Sequence, residues 1–270
     1  MLRAVHQTSD SDPKILVDPI SVALAKQFEG TPAWTAFRDL SKSFLRMTRS
    51  ALVLRNRFAE DALERASGKG ECQYVILGAG FDTFAYRQPA WAERVSIFEV
   101  DHPATQEQKS DILSRCGYTP PGNLHLCGVD FEHMSLEEGL AQAGCNPDVP
   151  SVFCWLGVTQ YLTESAIRST LEFVQSHAES SSVIFSFLPP DDELEEEDCG
   201  LLAEIHRLAS ARGEPFLSRF SPQPLLQLLD QIGFRRSEHL LPEVAQDRYF
   251  GDRADGLRAI RGEQLIKATV

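Results

Sequence analysis

The sequence predicts an α/β fold in which a mostly parallel sheet carries helices on both faces. Three observations point there. Short apolar runs alternate with amphipathic helical stretches, the order that yields parallel strands joined by crossover helices. The first run, Gln73–Leu77, stops at a glycine, as suits a buried parallel strand. A late pair of strand-like runs follows the last helices, which raises the expected sheet to seven strands.

Residues 1–12 are polar and read as loose chain. From Asp18 to Ser67, apolar residues return at helical spacing: Ala23, Leu24 and Phe28, then Phe37, Leu40, Phe44 and Leu45, then Leu52, Leu54, Phe58 and Leu63. This reads as three or so helices, the first opened by Asp18-Pro19. Strands are expected at Gln73–Leu77, Val95–Val100, Asn123–Cys127, Val152–Leu156 and Ser182–Leu188. Between them lie a helical turn at Thr83–Arg87 and a helix at Pro103–Cys116 with proline in its first turn. A helix at Ser135–Ala143 opens with a Ser135/Glu138 capping box, and Thr163 caps an amphipathic helix reaching His177. After the fifth strand, an acidic run ends at Asp198 and reads as the solvated face of a helix continued by Leu201, Leu202, Ile205 and Leu208. Pro222–Gln231 is a helix, and Phe234–Leu240 and Gln264–Val270 supply the sixth and seventh strands. The chain thus divides into an N-terminal helical cap, 1–70, and a sheet domain, 71–270, with an insertion at about 189–221.

Length and charge narrow the functions. With 270 residues and 43% hydrophobic composition, the chain can bury a sizeable core. A net charge of −13 argues against nucleic acid and against docking on an anionic membrane. The six cysteines form no CxxC pair and lack histidines at metal-ligand spacing, so they read as reduced thiols with no metal. The opening MLRAVHQTSDSDPK has no apolar run of a secretory signal. No run is long enough to span a bilayer, so a cytoplasmic protein is expected.

The sharpest motif is Val75-Ile76-Leu77-Gly78-Ala79-Gly80-Phe81-Asp82-Thr83, a strand running into glycines with a helical turn behind. Glycine lets the backbone turn sharply and approach a ligand. Thr83 stands where a dinucleotide site wants a third glycine. That glycine serves packing beside a pyrophosphate, which a sulfonium cofactor lacks. Asp101 ends the second strand, where a carboxylate can accept from both ribose hydroxyls and would repel a 2′-phosphate. It could equally cap the helix that starts at Pro103. Asp130 and Phe131 follow the third strand, where a carboxylate can accept from an adenine amino group and the next N–H can donate to the ring. These points, at successive strand ends, predict an adenosyl cofactor.

Several motifs in order resemble the leucine carboxyl methyltransferase superfamily. They are Arg55-Asn56-Arg57-Phe58-Ala59-Glu60-Asp61-Ala62-Leu63, the segment Leu77–Arg87, and Glu99-Val100-Asp101-His102-Pro103 with Lys109. Val129-Asp130-Phe131, Trp155–Leu162, Gly213-Glu214-Pro215-Phe216 and Arg248-Tyr249-Phe250 follow. Within that superfamily the chain is most similar to the bacterial and fungal O-methyltransferase branch that includes polyketide carboxyl methyltransferases. The resemblance implies a Rossmann-like class I methyltransferase fold that uses S-adenosylmethionine. It implies that Gly78, Ala79 and Gly80 line the methionine part, Asp101 holds ribose, and Asp130 with Phe131 hold adenine. It also implies that Arg55 pairs with the cofactor carboxylate, with Arg57 a close competitor. The chain departs from the family at Leu156, where the protein-methylating branch carries an acid, and at Phe84, where an arginine is common.

Methyl transfer from a sulfonium needs alignment and exclusion of water more than acid–base chemistry. A carboxylate acceptor needs no base, whereas a phenol or alcohol does. His102, beside Asp101, reads as a helix-start residue and Tyr161 as a packed aromatic, so no catalytic base is assigned. The expected reaction is O-methylation of a small-molecule carboxylate or hydroxyl, with residues 189–212 and the N-terminal helices as a lid. An NAD-dependent oxidoreductase would share the glycine turn, but no Tyr-x-x-x-Lys pair exists. A non-catalytic protein that binds the cofactor and acts through protein contacts is the other alternative.

Overall fold

The expected strands around 73–77, 97–100, 152–155 and 182–187 are largely apolar and buried on both faces, whereas those around 124–128 and 236–240 are partly exposed. A computed structural model describes residues 1–131, 133–211 and 213–270. Its strands are β1 (Gln73–Leu77), β2 (Ser96–Asp101), β3 (Leu124–Gly128), β4 (Ser151–Trp155), β5 (Ser182–Phe187), β6 (Arg236–Leu240) and β7 (Gln264–Thr269). They form one seven-stranded sheet in the order β3-β2-β1-β4-β5-β7-β6. The first five are parallel, and β7 runs antiparallel between β5 and β6. The order reverses direction between β1 and β4, where a parallel α/β sheet opens a crevice at its carboxyl edge.

The helices are α1 (Leu2–Ser9), α2 (Ile20–Lys26), α3 (Pro32–Asp39), α4 (Lys42–Ser67), α5 (Phe84–Arg87) and α6 (Pro103–Arg115). They continue with α7 (Leu136–Gln142), α8 (Glu164–Gln175), α9 (Glu196–Ser210), α10 (Pro222–Ile232) and α11 (Pro242–Ala245). On one face, Val53, Phe58, Ala62 and Leu63 of α4 pack on Tyr74, Ile76, Ile97 and Ile184. On the other, Ile167, Leu171 and Val174 of α8 and Leu225 and Leu229 of α10 pack on Val75, Phe153, Val183 and Ile266. The caps read from the sequence form. Ser135 and Glu138 make a reciprocal box, and Thr163 accepts from Ala166. Asp18 accepts from the N–H of Ser21 at 3.1 Å, opening α2.

Two local expectations are corrected. Residues 1–12 are not loose: α1 is seated by His6, which is wholly buried, and by Asp10. The Asp10 carboxylate lies 2.7 Å from His6 Nδ1 and takes two hydrogen bonds from Arg49. The polar residues that suggested solvent are instead paired, Asp10 with Arg49 across 39 positions. The acidic run, in turn, is not wholly solvated. Asp198 is 2% exposed and accepts the N–H of Arg261 at 3.3 Å. Burial raises its pKa, and that hydrogen bond offsets part of the rise.

Candidate active site

The carboxyl ends of β1, β2 and β4 meet at a turn that needs glycine. Gly78 has φ +68°, and a Cβ there would lie 2.6 Å from Val158 Cγ2. The N–H groups of Gly78 and Ala79 both donate to Val100 O, at 2.9 and 3.0 Å. This ties the turn to β2 and brings Asp101 under it: Gly80 N–H donates to Asp101 Oδ2 at 2.6 Å, and His102 N–H donates to Oδ1 at 2.7 Å. A carboxylate has about four acceptor sites, so ligand hydroxyls can still bond there. His102 itself, through Nδ1, caps α6 by accepting from Ala104 at 3.2 Å. The capping task therefore falls on His102, and Asp101 is left to the glycine turn.

A cavity of about 610 Å³ extends from this turn, within the range of small-molecule sites. Gly78, Ala79 and Gly80 form its floor, and Arg55 and Asn56 of α4 form one side. Its apolar walls include Phe37, Leu40, Phe44 and Leu52 from the N-terminal helices and Ile205 and Leu208 from α9. Leu156 and Tyr161, which follow β4, complete it. Arg55 Nη1 donates to Glu263 Oε1 at 2.7 Å. Its guanidinium lies over Gly157, where a Cβ would come within 2.7 Å of the two terminal nitrogens. Arg55 Nε is buried without a hydrogen-bond partner among the described residues. Arg57 instead turns to Asp61, 2.6 Å from Nε, and is not part of the cavity wall.

Asp130 and Phe131 stand one strand further along the same edge. Val129 N–H donates to Asp101 O at 2.9 Å, which fixes that neighbourhood. Asp130 meets His133 at 3.1 Å, and Phe131 is 68% exposed. The structure thus joins Arg55 and Gly78–Gly80 in one cavity and hydrogen-bonds Asp101 to its rim. Asp130 and Phe131 lie beside that rim, outside the cavity wall. Sequence reasoning missed Gly157 and Glu263. The glycine directly after a strand was a usable signal, whereas Glu263, far along the chain, gave none.

Two weakly acidic side chains of the cavity, Cys154 and Tyr161, are pushed further toward their neutral forms. Burial pushes the Cys154 thiol up to about 12, Tyr74 offsetting part of this through a hydrogen bond. Burial also raises the Tyr161 phenol, whose ring meets Phe216 edge-on at 5.6 Å. Both stay protonated at neutral pH. None of the seven histidines lines the cavity. Asp82 and Glu214 do. Phe84 points away into the core, 1% exposed and 5.1 Å from the Tyr74 ring, so its departure from the family pattern is a matter of packing.

A seven-stranded sheet of this order is the fold of S-adenosylmethionine-dependent methyltransferases. A structure titled a "putative methyltransferase" from Thermobifida fusca shares the fold, with a TM-score of 0.56 at 14% identity over 92% of this chain and 91% of that one. A family model described as leucine carboxyl methyltransferase matches residues 1–175. The chain belongs to the leucine carboxyl methyltransferase family. Bacillus subtilis YktD, named a "putative S-adenosyl-L-methionine-dependent methyltransferase", is 34% identical over 80% of this chain and 71% of its own length. A Streptomyces coelicolor protein of the same description, SCO7813, is 30% identical over 64% of this chain and 62% of its own.

Proposed function

We propose that the chain methylates an oxygen of a small, largely apolar molecule, a carboxylate being the favoured acceptor. The observation that carries this reading is the cavity itself. It begins at the Gly78–Gly80 turn, is walled by Phe37, Phe44, Leu52, Ile205 and Leu208, and contains no histidine. A carboxylate is ionised at neutral pH and reacts without a base.

When bound, S-adenosylmethionine supplies a methyl group already activated on a sulfonium. The residues present suit it. The glycine turn gives close backbone approach, Asp101 has acceptor capacity for ribose hydroxyls, and the orphaned Nε of Arg55 offers a donor to a carboxylate. Asp130 and the N–H of Phe131 are assigned to the adenine, at the open end of the site. Tyr161, kept protonated by burial, donates to the acceptor. The apolar walls exclude water, which keeps acceptor and methyl aligned. The helical cap, residues 1–70, and the insertion at about 189–221 are assigned to the acceptor side, because α3, α4 and α9 supply those walls.

Asp82 and Glu214 in the same cavity favour a second reading, in which one of them serves as base for a hydroxyl acceptor. Calorimetry with S-adenosylhomocysteine tests the cofactor site: Asp101→Ala is expected to weaken binding by about 2 kcal/mol, the scale of hydrogen bonds to a charged group. A panel of apolar carboxylic acids and phenols, followed by release of S-adenosylhomocysteine, tests the acceptor. Turnover of acids alone is expected. Turnover of phenols alone would move the assignment to the hydroxyl reading, and tight cofactor binding with no turnover would favour a non-catalytic protein.

A further inference from the structure

The opposite edge of the sheet, where β1, β4 and β5 begin, holds a second cavity of about 860 Å³. Strands of this length put it more than about 15 Å from the glycine turn. Cationic side chains dominate its wall: Arg65 and Lys69 from the end of α4, Arg236 of β6, Lys267 of β7, and Arg248. Glu71 and Glu238 are its acids. Only Arg248 is firmly paired, to Asp61 at 2.7 Å. Arg236 reaches Glu238 at 4.0 Å. Arg65, Lys69 and Lys267 make no ion pair within 4.0 Å among the described residues.

Cations at the end of a helix are ordinary, since they oppose its dipole. That accounts for Arg65 and Lys69. It does not account for Lys267, which sits half-buried within β7 between Ile184 and Glu238. Burial, then Arg65, with Lys69 and Arg236 in the same sense, lower the Lys267 pKa, and Glu238 offsets part of this. Lys267 is half-buried, while Arg65, Lys69 and Arg236 stand exposed around it, and an anion seated among them would relieve their mutual repulsion. The whole chain carries −13, which repels a long polyanion, so the fitting ligand is compact.

We propose that this cavity binds a phosphorylated small molecule, with the phosphoryl group held among Arg65, Lys69, Arg236 and Lys267. A phosphate monoester combines a charge near −2 with three acceptor oxygens, and guanidinium groups match that geometry. The volume leaves room for the organic part of such a ligand.

The test titrates the purified chain with inorganic pyrophosphate at low ionic strength by calorimetry, with citrate as a carboxylate control. One saturable site, weakened by salt and accompanied by a rise in Tm, is expected. Citrate should bind at least about tenfold more weakly, lacking the phosphoryl geometry. The double variant R65Q/K267M should lose about tenfold or more in pyrophosphate affinity while binding S-adenosylhomocysteine as the parent does, which reports that it is folded. Should the double variant not fold, R65Q alone, on an exposed helix end, reads the same loss. Absence of a saturable isotherm, equal binding by R65Q and parent, or equal affinity for citrate each overturns the proposal.

Discussion

Arg55 is held on one side by Glu263 and leaves its buried Nε unused. In the proposed role beside the cofactor carboxylate, a guanidinium already placed over Gly157 needs little reorganisation. Arg55→Ala is therefore expected to weaken S-adenosylhomocysteine binding by about 1.5–3 kcal/mol, and Arg55→Lys to recover little, because an ammonium cannot reproduce the planar fork. Arg57→Ala serves as the control. Its partner is Asp61, and cofactor affinity should not move. The reverse order in calorimetry would transfer the role to Arg57. That ambiguity was present in the sequence because both arginines lie two residues apart on one helix. Only the packing of α4 decides which faces the cavity.

Among the elements, α3 and α9 stand apart from the rest. No residue of α3 is buried, yet Ala33, Ala36 and Phe37 line the cavity. An element with so little buried surface opens locally at low cost. Hydrogen exchange should be faster in α3 than in the Phe58–Leu63 stretch of α4, and should slow in α3 when cofactor product and an acceptor acid are both present. No change on ligand addition would remove α3 from the site. On α9, Leu208→Ala should raise the acceptor KM by about tenfold, the worth of an apolar side-chain contact. The affinity for S-adenosylhomocysteine should stay as it was. A change confined to cofactor affinity would place α9 on the cofactor side instead. The acidic run is an exposed face with one inward anchor, since Asp198 alone of its acids turns to the 261–262 backbone.

Across the whole molecule, the C-terminal segment straps the N-terminal one. Arg253 donates to the carbonyls of Pro13 and Ser11 at 2.7 Å, and Ser11 N–H donates to Asp255 at 2.9 Å. Burial alone would raise Asp255, but hydrogen bonds from Arg253, Ser11 and Leu257 outweigh it and bring the carboxyl down to about 2. A depressed folded-state pKa contributes stability that is present above the unfolded value of about 3.9 and lost as pH falls through the folded one. Asp255→Asn is expected to cost at most about 2 kcal/mol at neutral pH, and the gap to the parent should narrow as the pH falls from about 4 to 2. Denaturant melts across that range give the answer, and a constant gap would show that the strap works by shape and not by charge.

All seven strands and the principal helices were legible in the sequence, because strand and helix periodicity, proline, glycine and capping residues are local signals. The glycine turn and the acid of β2 were legible for the same reason, and so was the family. Other features depended on residues far apart in the chain. The N-terminal helix looked like solvated chain because part of its pairing is distant: Asp10 is met by Arg49 as well as by His6, and Arg3 by Asp18. Glu263 reaches Arg55 across 208 positions, and the basic cavity gathers α4, β6 and β7 at one edge of the sheet. Sequence alone determined which elements form and which residues stand at the carboxyl ends of the strands. The tertiary structure decided which side chains share a cavity, because pairing a buried charge is a property of the folded neighbourhood and not of the local chain.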